Sequence, residues 1–486
     1  MKILQSKNSI VKSVNPVVLL LTEESIQKHT IYKALVKAVP DSFKAKEKQF
    51  YVAETDQPPK FVVLLGLGKT SDIIIEKIRK AGASAVNVAK SIGFVKFSVY
   101  VESINSLPEH DVSKALSEGI VLGNYKFDKY KTKEKDSGEK IIEQVELYTL
   151  ADFKPVIEAA RVCDIVNESR DTANEGADIM TPIEIAAIAK SIAGKYSSVT
   201  CTILDKKQME KMSMNLILGV SRGSEYDPVL VILEYKGAGN EKPVALVGKG
   251  VTFDSGGLNL KPSGYIENMH TDKSGAITVL YTIKAAADIG LKCNIIGVLP
   301  CCENMIGSKA QKPGSIIKSY SGKTVEIGNT DAEGRLILAD AFSYTVDKLK
   351  PETIIDIATL TGSCMVTFGE HVAGMISTDE KLAKDIFDAG QKTYERVWQL
   401  PLYKEYEEEM ESEKADIKNI GSKDRYAGTI TAAAFLKAFT KDKPWAHLDI
   451  AGTATTDKQK SYISAGATGF GIRLFIEFLK AREKKK

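Results

Sequence analysis

Val247 to Pro262 reads VGKGVTFDSGGLNLKP, and its reading decides the fold. An apolar run, Pro243 to Val247, has the character of a strand and leads into a loop carrying Lys249, Asp254 and Lys261. Gly248 directly precedes Lys249, and Gly250, Gly256 and Gly257 lie between those side chains. Glycine lacks a Cβ, so the loop can turn tightly and let Lys249, Asp254 and Lys261 converge. In an open α/β sheet, ligands bind at this edge, just past the carboxyl ends of the strands.

The same pattern extends in both directions. Asn294 to Leu299, Thr353 to Ala358 and Ala446 to Ile450 read as strands. Helical segments lie between them, such as Ala332 to Leu349, which Pro351 stops. Towards the N-terminus, Val17 to Leu21 reads as a first buried strand, and Phe61 to Leu65 and Val95 to Val101 as two more. Ser71 to Ile92 has helical spacing. Strands alternating with helices predict an α/β layer protein. Lys129 to Lys140 (KYKTKEKDSGEK) reads as a polar surface excursion. Phe153 to Asn167 has the periodicity of a helix that could join two domains, which places a boundary near residue 160 of the 486.

Composition removes several classes of function. Hydrophobic residues make up 43% and charged residues 27%, so wholesale disorder is excluded. The net charge of +3 gives no argument for nucleic acid. No two of the histidines (His29, His110, His270, His371, His447) lie within ten residues of each other, so no HExxH site exists. The six cysteines form no CxxC pair, which argues against a thiolate metal site and fits a reducing compartment. The apolar run Val17 to Leu21 is far shorter than the roughly 7–15 residues of a signal-peptide core or the about 20 of a spanning helix. A cytoplasmic protein without membrane association is therefore expected. Gly68-Lys69-Thr70 follows a strand as a phosphate loop would, but Val63 stands where that loop needs its first glycine. A plain strand-to-helix turn is expected there.

Three further segments join the opening one. NMHTDKSGA (Asn268 to Ala276) carries Asp272. NTDAEGRL (Asn329 to Leu336) carries Asp331, Glu333 and Arg335, and DIATLTG (Asp356 to Gly362) ends a buried strand. Taken singly, an Asp before glycines is a turn residue, and acidic residues open helices. Taken together, four carboxylates and two lysines sit on loops, most of them just after strands. Converging carboxylates repel one another, so a metal is their natural neutraliser. A bridging carboxylate pair can hold two metals roughly 3.5–4 Å apart.

These segments resemble the leucyl aminopeptidase (cytosol aminopeptidase) family. The resemblance continues through AGTITAAAFL (Ala427 to Leu436), WAHLDIAGTA (Trp445 to Ala454) and GATGFGIRLFIEFL (Gly466 to Leu479), and spans about residues 160–480. It is thinner before that, mainly GIVLGNYKFDKYK (Gly119 to Lys131). It implies a smaller N-terminal α/β, macro-like domain over 1–160. A larger catalytic domain over 161–486 would have a central mixed sheet flanked by helices. It implies a metal-dependent aminopeptidase that releases N-terminal residues, leucine and other apolar ones preferred, by attack of a metal-bridging hydroxide.

By motif match, Asp254 and Glu333 would bridge two divalent ions, Zn²⁺ or Mn²⁺. Lys249 and Asp272 would complete one site and Asp331 the other. Lys249 can ligate only as the neutral amine, because an ammonium has no lone pair. Binding of the substrate's free α-amine at a metal would explain exopeptidase behaviour. Lys261 matches the lysine that stabilises the gem-diolate. Arg335 matches the arginine that holds a bicarbonate ion as proton shuttle. Met269, Thr359, Gly362, Ala451 and Ala454 would line the side-chain pocket, with Asn329 and the backbone of Leu360 as weaker substrate contacts. The family also implies a homohexamer.

The chain departs from the family's usual pattern at three places. Lys273 stands where Met is usual and His270 where Lys or Arg is usual. Lys273 either points into solvent, the simpler reading, or inward, where it would weaken metal binding or shift pH dependence. His270 is either a surface substitution or a pH-sensitive neighbour of the site. DTANEGADIMTP (Asp171 to Pro182) lacks the Asn-Pro turn usual before its Thr-Pro pair. Two rivals remain: a DNA-binding regulatory role alongside peptidase activity, and a catalytically silent homologue. The intact motif positions argue against the second.

Overall fold

Strands buried on both faces organise the protein. Val17–Thr22 (VVLLLT) and Thr353–Ala358 (TIIDIA) are buried at every position, as interior strands with covered faces must be. The computed structural model describes residues 1–28, 30–101, 104, 107–132, 140–421 and 426–484. The chain divides into two compact units. One is Met1–Asn167 with Lys458–Ala465, and the other is Glu168–Asp457 with Gly466–Lys486.

The first unit is built on six strands: β1 (Lys2–Ser6), β2 (Val17–Thr22), β3 (Phe50–Glu54), β4 (Phe61–Gly68), β5 (Lys96–Val101) and β6 (Gln144–Tyr148). They lie in the order β1-β6-β5-β2-β4-β3, all parallel except β3 against β4. Val17 to Leu21 is thus the second strand, not the first. The true first strand, KILQS, has only two buried residues, Ile3 and Ser6, and its apolar signal is weak.

Helices α1 (Ile75–Ser91) and α2 (Glu109–Gly123) pack closely through glycine. A Cβ on Gly82 would stand 2.5 Å from the Leu116 carbonyl oxygen. After β4, the Thr70 amide and hydroxyl both donate to Glu24 Oε2, at 2.9 and 2.7 Å. A carboxylate takes the place a phosphate would need, which agrees with the plain-turn reading. Of the polar excursion 129–140, residues 133–139 lie outside the described residues.

Helix α3 (Lys154–Asn174) runs on past the expected Asn167. In helix α4 (Pro182–Lys195), Pro182 takes the first helical position behind Thr181, where its missing N–H costs nothing.

The second unit is built around β7 (Val199–Leu204), β8 (Val229–Lys236), β9 (Val244–Gly248), β10 (Gly250–Asp254) and β11 (Asn294–Asn304). Further along are β12 (Ile316–Lys318), β13 (Thr324–Glu326), β14 (Thr353–Ala358), β15 (Ala373–Ser377), β16 (Val397–Gln399), β17 (Ile417–Lys418) and β18 (Trp445–Asp449). The large sheet runs β16-β15-β18-β14-β9-β11-β8-β7, with β10 beside β11. It is mixed: β18, β14, β9 and β11 are mutually parallel, β8 runs against both β11 and β7, and β15 runs against β18 but parallel to β16.

Helices α5 (Ser274–Ile289), α6 (Gly334–Tyr344), α7 (Gly362–Phe368) and α8 (Gly428–Lys437) follow in chain order. The core on one sheet face joins Leu338 and Phe342 of α6 and Phe435 of α8 to Val247, Val298 and Ile354. On the other face Gly297 lies under α5, where a Cβ would stand 3.0 Å from Val279. The expected helix Ala332 to Leu349 is α6 followed by a wider turn, Thr345–Leu349, which ends at Lys350 with φ 48°.

This topology positions the site. From β9 the chain goes first to β11 on one side and later to β14 on the other. Such a reversal opens a crevice at the carboxyl ends of the strands.

Candidate metal centre

Each charged residue of the cluster lies at or beyond a strand end, or at a helix start. Lys249 follows β9, and its backbone is pinned on both sides. Its amide donates to the Ile357 carbonyl at 3.1 Å, and its carbonyl accepts from Ala276 at 2.8 Å. This close approach needs glycine: a Cβ on Gly275 would stand 2.2 Å from the Ile357 oxygen. Asp254 ends β10, Asp272 lies in the 3₁₀ turn Met269–Lys273, and Glu333 directly precedes α6.

The side chains converge. Lys249 Nζ lies 2.7 Å from Asp272 Oδ2 and 2.9 Å from Glu333 Oε1, and donates to the Thr359 carbonyl at 2.8 Å. Lys261 Nζ lies 2.9 Å from Asp254 Oδ2 and 2.5 Å from Asp331 Oδ1. One carboxylate oxygen each from Asp254, Asp272 and Glu333 falls within 4.8 Å of the others. Thr359 Oγ1 donates to Asp272 Oδ1 at 2.6 Å.

Burial sets the electrostatics. It pushes Asp272 up to about 8 and Asp331 up to about 7, and the neighbouring carboxylates push the same way. Glu333 is raised for the same reasons. Burial alone would lower Lys249 and Lys261. The carboxylates around them outweigh it and raise both above the ordinary lysine value.

Four carboxylates face two ammonium groups, so the ionised cluster carries a deficit of two positive charges. Asp272 Oδ2, Asp331 Oδ1 and Glu333 Oε1 are buried and accept no well-formed hydrogen bond, although an ammonium lies within ion-pair range of each. Buried carboxylate oxygens left in this way fit divalent cations, which take several hard oxygen donors at once.

The structure also places the expected substrate contacts. Asp449, at the end of β18, gathers the loop after β14. Its Oδ1 accepts from the amides of Leu360 (3.2 Å), Thr361 (3.4 Å) and Ala451 (3.1 Å), and its Oδ2 from the Thr361 hydroxyl (2.6 Å). Leu360 and Ala451 are thereby held at one carboxylate, and Thr359 and Gly362 flank the tied Leu360–Thr361 segment in the chain. Met269 sits on the turn that carries Asp272 and is half-buried. Ala454 is only 3% exposed and offers little wall surface. Asn329 Oδ1 accepts from the Asp331 amide at 2.8 Å. Arg335 lies on α6, its Nη1 donating to the Asn419 carbonyl at 2.8 Å.

Lys273 corrects the simpler expectation. It does not point into solvent: it is fully buried, and its ammonium donates to the carbonyls of Glu175 (2.9 Å) and His270 (2.5 Å). Burial pushes its pKa down to about 7. His270 is half-buried, and burial, then the Lys273 charge, lowers its pKa.

Five supporting residues were not singled out as site residues in the sequence. Asn304 Nδ2 donates to Asp254 Oδ1 at 2.8 Å and to the Thr330 carbonyl at 3.1 Å. Thr330 Oγ1 ties the two acidic loops together through the Gly256 carbonyl at 2.7 Å and the Asn259 amide at 2.9 Å. His447 and Asp356 form a fully buried pair at 2.6 Å, and Trp445 Nε1 donates to the same carboxylate at 2.8 Å.

Comparison with known proteins decides the family. Residues 167–476 match the model described as "Cytosol aminopeptidase family, catalytic domain", and residues 22–134 match that family's N-terminal domain. The chain belongs to the cytosol aminopeptidase family. It is an aminopeptidase, a metal-binding hydrolase of peptide bonds.

Among relatives, the "Probable cytosol aminopeptidase" of Protochlamydia amoebophila is 42% identical over 425 residues, 86% of this chain and 85% of that protein. That of Geobacter sulfurreducens is 42% identical over 430 residues, 87% of this chain and 86% of that protein. Among solved structures, a mutant of tomato leucine aminopeptidase superposes with a TM-score of 0.87 at 30% identity, covering 99% of this chain and 96% of that one. The bottromycin maturation enzyme BotP in complex with Mn gives a TM-score of 0.86 at 28% identity, covering 97% of this chain and 100% of that one. Among the described residues, no helix is long and apolar enough to cross a membrane.

Proposed function

We propose that this chain is a two-metal aminopeptidase acting in the cytoplasm, which releases leucine and other apolar residues from the N-terminus of peptides. The observation that carries the reading is the buried Asp254–Asp272–Glu333 cluster, with Lys249 on one side and Lys261 with Asp331 on the other.

Asp254 and Glu333 would be shared between two ions, Zn²⁺ or Mn²⁺. Lys249 and Asp272 would complete one set, and Asp331, by carboxylate and carbonyl, the other. The ions supply Lewis acidity towards the scissile carbonyl and a nucleophile at neutral pH. Lys249 serves as a ligand only after giving up the proton that Asp272 and Glu333 now favour. Lys261 stays cationic and holds its charge beside the position where the carbonyl oxygen becomes negative. Arg335 is fixed through the Asn419 carbonyl, and its planar fork would hold a bicarbonate ion, which would supply a proton shuttle there.

The half-buried Met269, Thr359 and Ala451, with Gly362 and Ala454, would form a pocket for an apolar side chain, with the backbone of Leu360 as a weaker contact. We also propose a homohexamer. Val366 (89% exposed), Tyr265 (71%) and Leu260 (54%) leave apolar surface on the second unit for subunits to cover.

The test is hydrolysis of Leu-p-nitroanilide by chelated enzyme reloaded with Mn²⁺ or Zn²⁺, beside the Ala, Lys and Glu analogues. Activity should return with metal and be highest on Leu. Full activity in Asp331→Ala would overturn the site assignment, and equal rates on Glu and Leu would overturn the apolar pocket. Light scattering of the purified chain tests the hexamer.

A further inference from the structure

We infer that Asn419 is a positioning residue for the loop Gly328–Arg335, and that it sets how tightly the centre holds divalent cations. This rests on the reading that Asp331 and Glu333 bind metal. Asn419 follows β17 and is fully buried. Its side chain closes the acidic loop from both ends. Oδ1 accepts from the amides of Gly328 (2.8 Å) and Asn329 (3.3 Å). Nδ2 donates to the carbonyls of Asn329 (2.7 Å) and Ala332 (3.3 Å). Its own carbonyl accepts from Arg335 Nη1 at 2.8 Å, and its own amide donates to Glu326 at 3.0 Å.

One residue therefore touches the backbone before Asp331, the backbone between Asp331 and Glu333, and the side chain of Arg335. The loop lies between β13 and α6, is also tied through Thr330 to Gly256, Asn259 and Asn304, and has few bonds within itself. Those are the Asp331 amide to Asn329 Oδ1 at 2.8 Å and the Ala332 amide to the Asn329 carbonyl at 3.3 Å. Among side chains that fit, only a carboxamide offers an acceptor to two N–H groups and a donor to two carbonyls from one planar group. Metal ligands must be held to within about 0.5 Å, and loss of an outer partner weakens metal binding by about 10–100-fold.

Asn419→Asp isolates the role. It keeps the shape and the acceptor, but sets a second oxygen against the Asn329 and Ala332 carbonyls. The added negative charge would by itself attract cations, so positioning and simple electrostatics predict opposite signs. Asn294 provides the structural control. It clamps a loop in the same manner: Oδ1 takes the Ala238 amide (2.9 Å), and Nδ2 gives to the carbonyls of Gly239 (2.9 Å) and Glu241 (2.7 Å). It does so at the start of β11, whereas the strand end that holds Asn304 faces the centre.

The experiment is calorimetric titration of the full-length, metal-free protein with Mn²⁺ alone, with thermal melts of each variant. Asn419→Asp should bind Mn²⁺ about 10–100-fold more weakly, while Asn294→Ala, even if less stable, should bind as the native chain does. Unchanged or tighter binding in Asn419→Asp, or equal weakening in Asn294→Ala, would overturn the role. Should Asn419→Asp fail to fold, Asn419→Ser makes the same measurement. Asp331→Ala separates the two levels: if it binds Mn²⁺ like the native chain, the metal reading itself has failed; if it does not while Asn419→Asp does, only the positioning role has.

Discussion

Adding Mn²⁺ to the metal-free enzyme should release protons, and their number should fall as pH rises. Lys249 lies 2.7 Å from Asp272 and 2.9 Å from Glu333, and those carboxylates outweigh burial to hold its pKa above the ordinary lysine value. It is therefore an ammonium throughout pH 6–9 and must lose one proton at any pH in that range to become a ligand. The carboxylates behave differently. Asp272 is pushed up to about 8 and Asp331 to about 7, each first by burial and then by its acidic neighbours.

A carboxylate with a raised pKa keeps its proton below that value and is ionised above it. Its share of the release is thus largest near pH 6 and gone by about pH 9. Lys249 and these two carboxylates together release about two to three protons at pH 6 and about one at pH 9, to which ionisation of metal-bound water adds. Titration calorimetry in buffers of different ionisation enthalpy measures it, since the slope of observed heat against buffer enthalpy is the proton count. In Lys249→Met the count should drop by one at each pH. A count at pH 9 that is the same in Lys249→Met as in the native chain would show that the lysine remains an ammonium, and its assignment as a ligand would fall. A count that does not change with pH would refute the raised carboxylates.

Other expectations follow from buried charge and close packing. Asp356→Asn should lower the thermal midpoint more at pH 6 than at pH 8.5. Burial opposes the His447 charge but Asp356 outweighs it, so the raised pKa contributes stability that is complete below about 6.5 and lost as pH climbs through the folded value. Breaking such a buried pair costs about 3–5 kcal/mol, and an equal loss at both pH values would refute the ionic reading. Lys273→Met should gain stability relative to the native chain most at low pH, because burial holds this lysine's pKa down at about 7. Below that value the native fold bears the full burden of a buried cation. The variant-minus-native difference should shrink by about 2–3 kcal/mol between pH 7 and pH 9, and melts showing no such trend would mean that the ammonium is not strained. Gly334→Ala sets a Cβ 2.7 Å from Lys249 Cε and 2.9 Å from Leu360 Cδ1. The lysine chain can swing aside, so the melting point should hold while Mn²⁺ affinity falls by roughly tenfold, and unchanged affinity would show that Lys249 has room to spare.

The apolar strands were legible because interior strands must be apolar on both faces. Thr353–Ala358 appears where its composition places it, whereas the half-exposed KILQS at Lys2–Ser6 carried too little pattern to be seen. The acidic segments were legible because carboxylates and lysines among glycines are rare in combination. What they touch was not. Lys273 reads as one more charged residue in MHTDKSGA, and only the carbonyls of Glu175 and His270 around its ammonium show that it is a buried cation.

By itself, the sequence determined which donor groups exist and that they fall at strand ends: four carboxylates and two lysines, with no histidine or cysteine in the set. These are properties of local order along the chain. Tertiary structure alone decided how the groups pair and what holds them. Lys249 divides its charge between Asp272 and Glu333, Asn304 reaches Asp254 across 50 residues, and Asn419 reaches Asn329 across 90. A polar side chain can bond any complementary group within about 3 Å, so its partner is fixed by where the packed sheet and helices bring the chain back, and no spacing in the sequence encodes that.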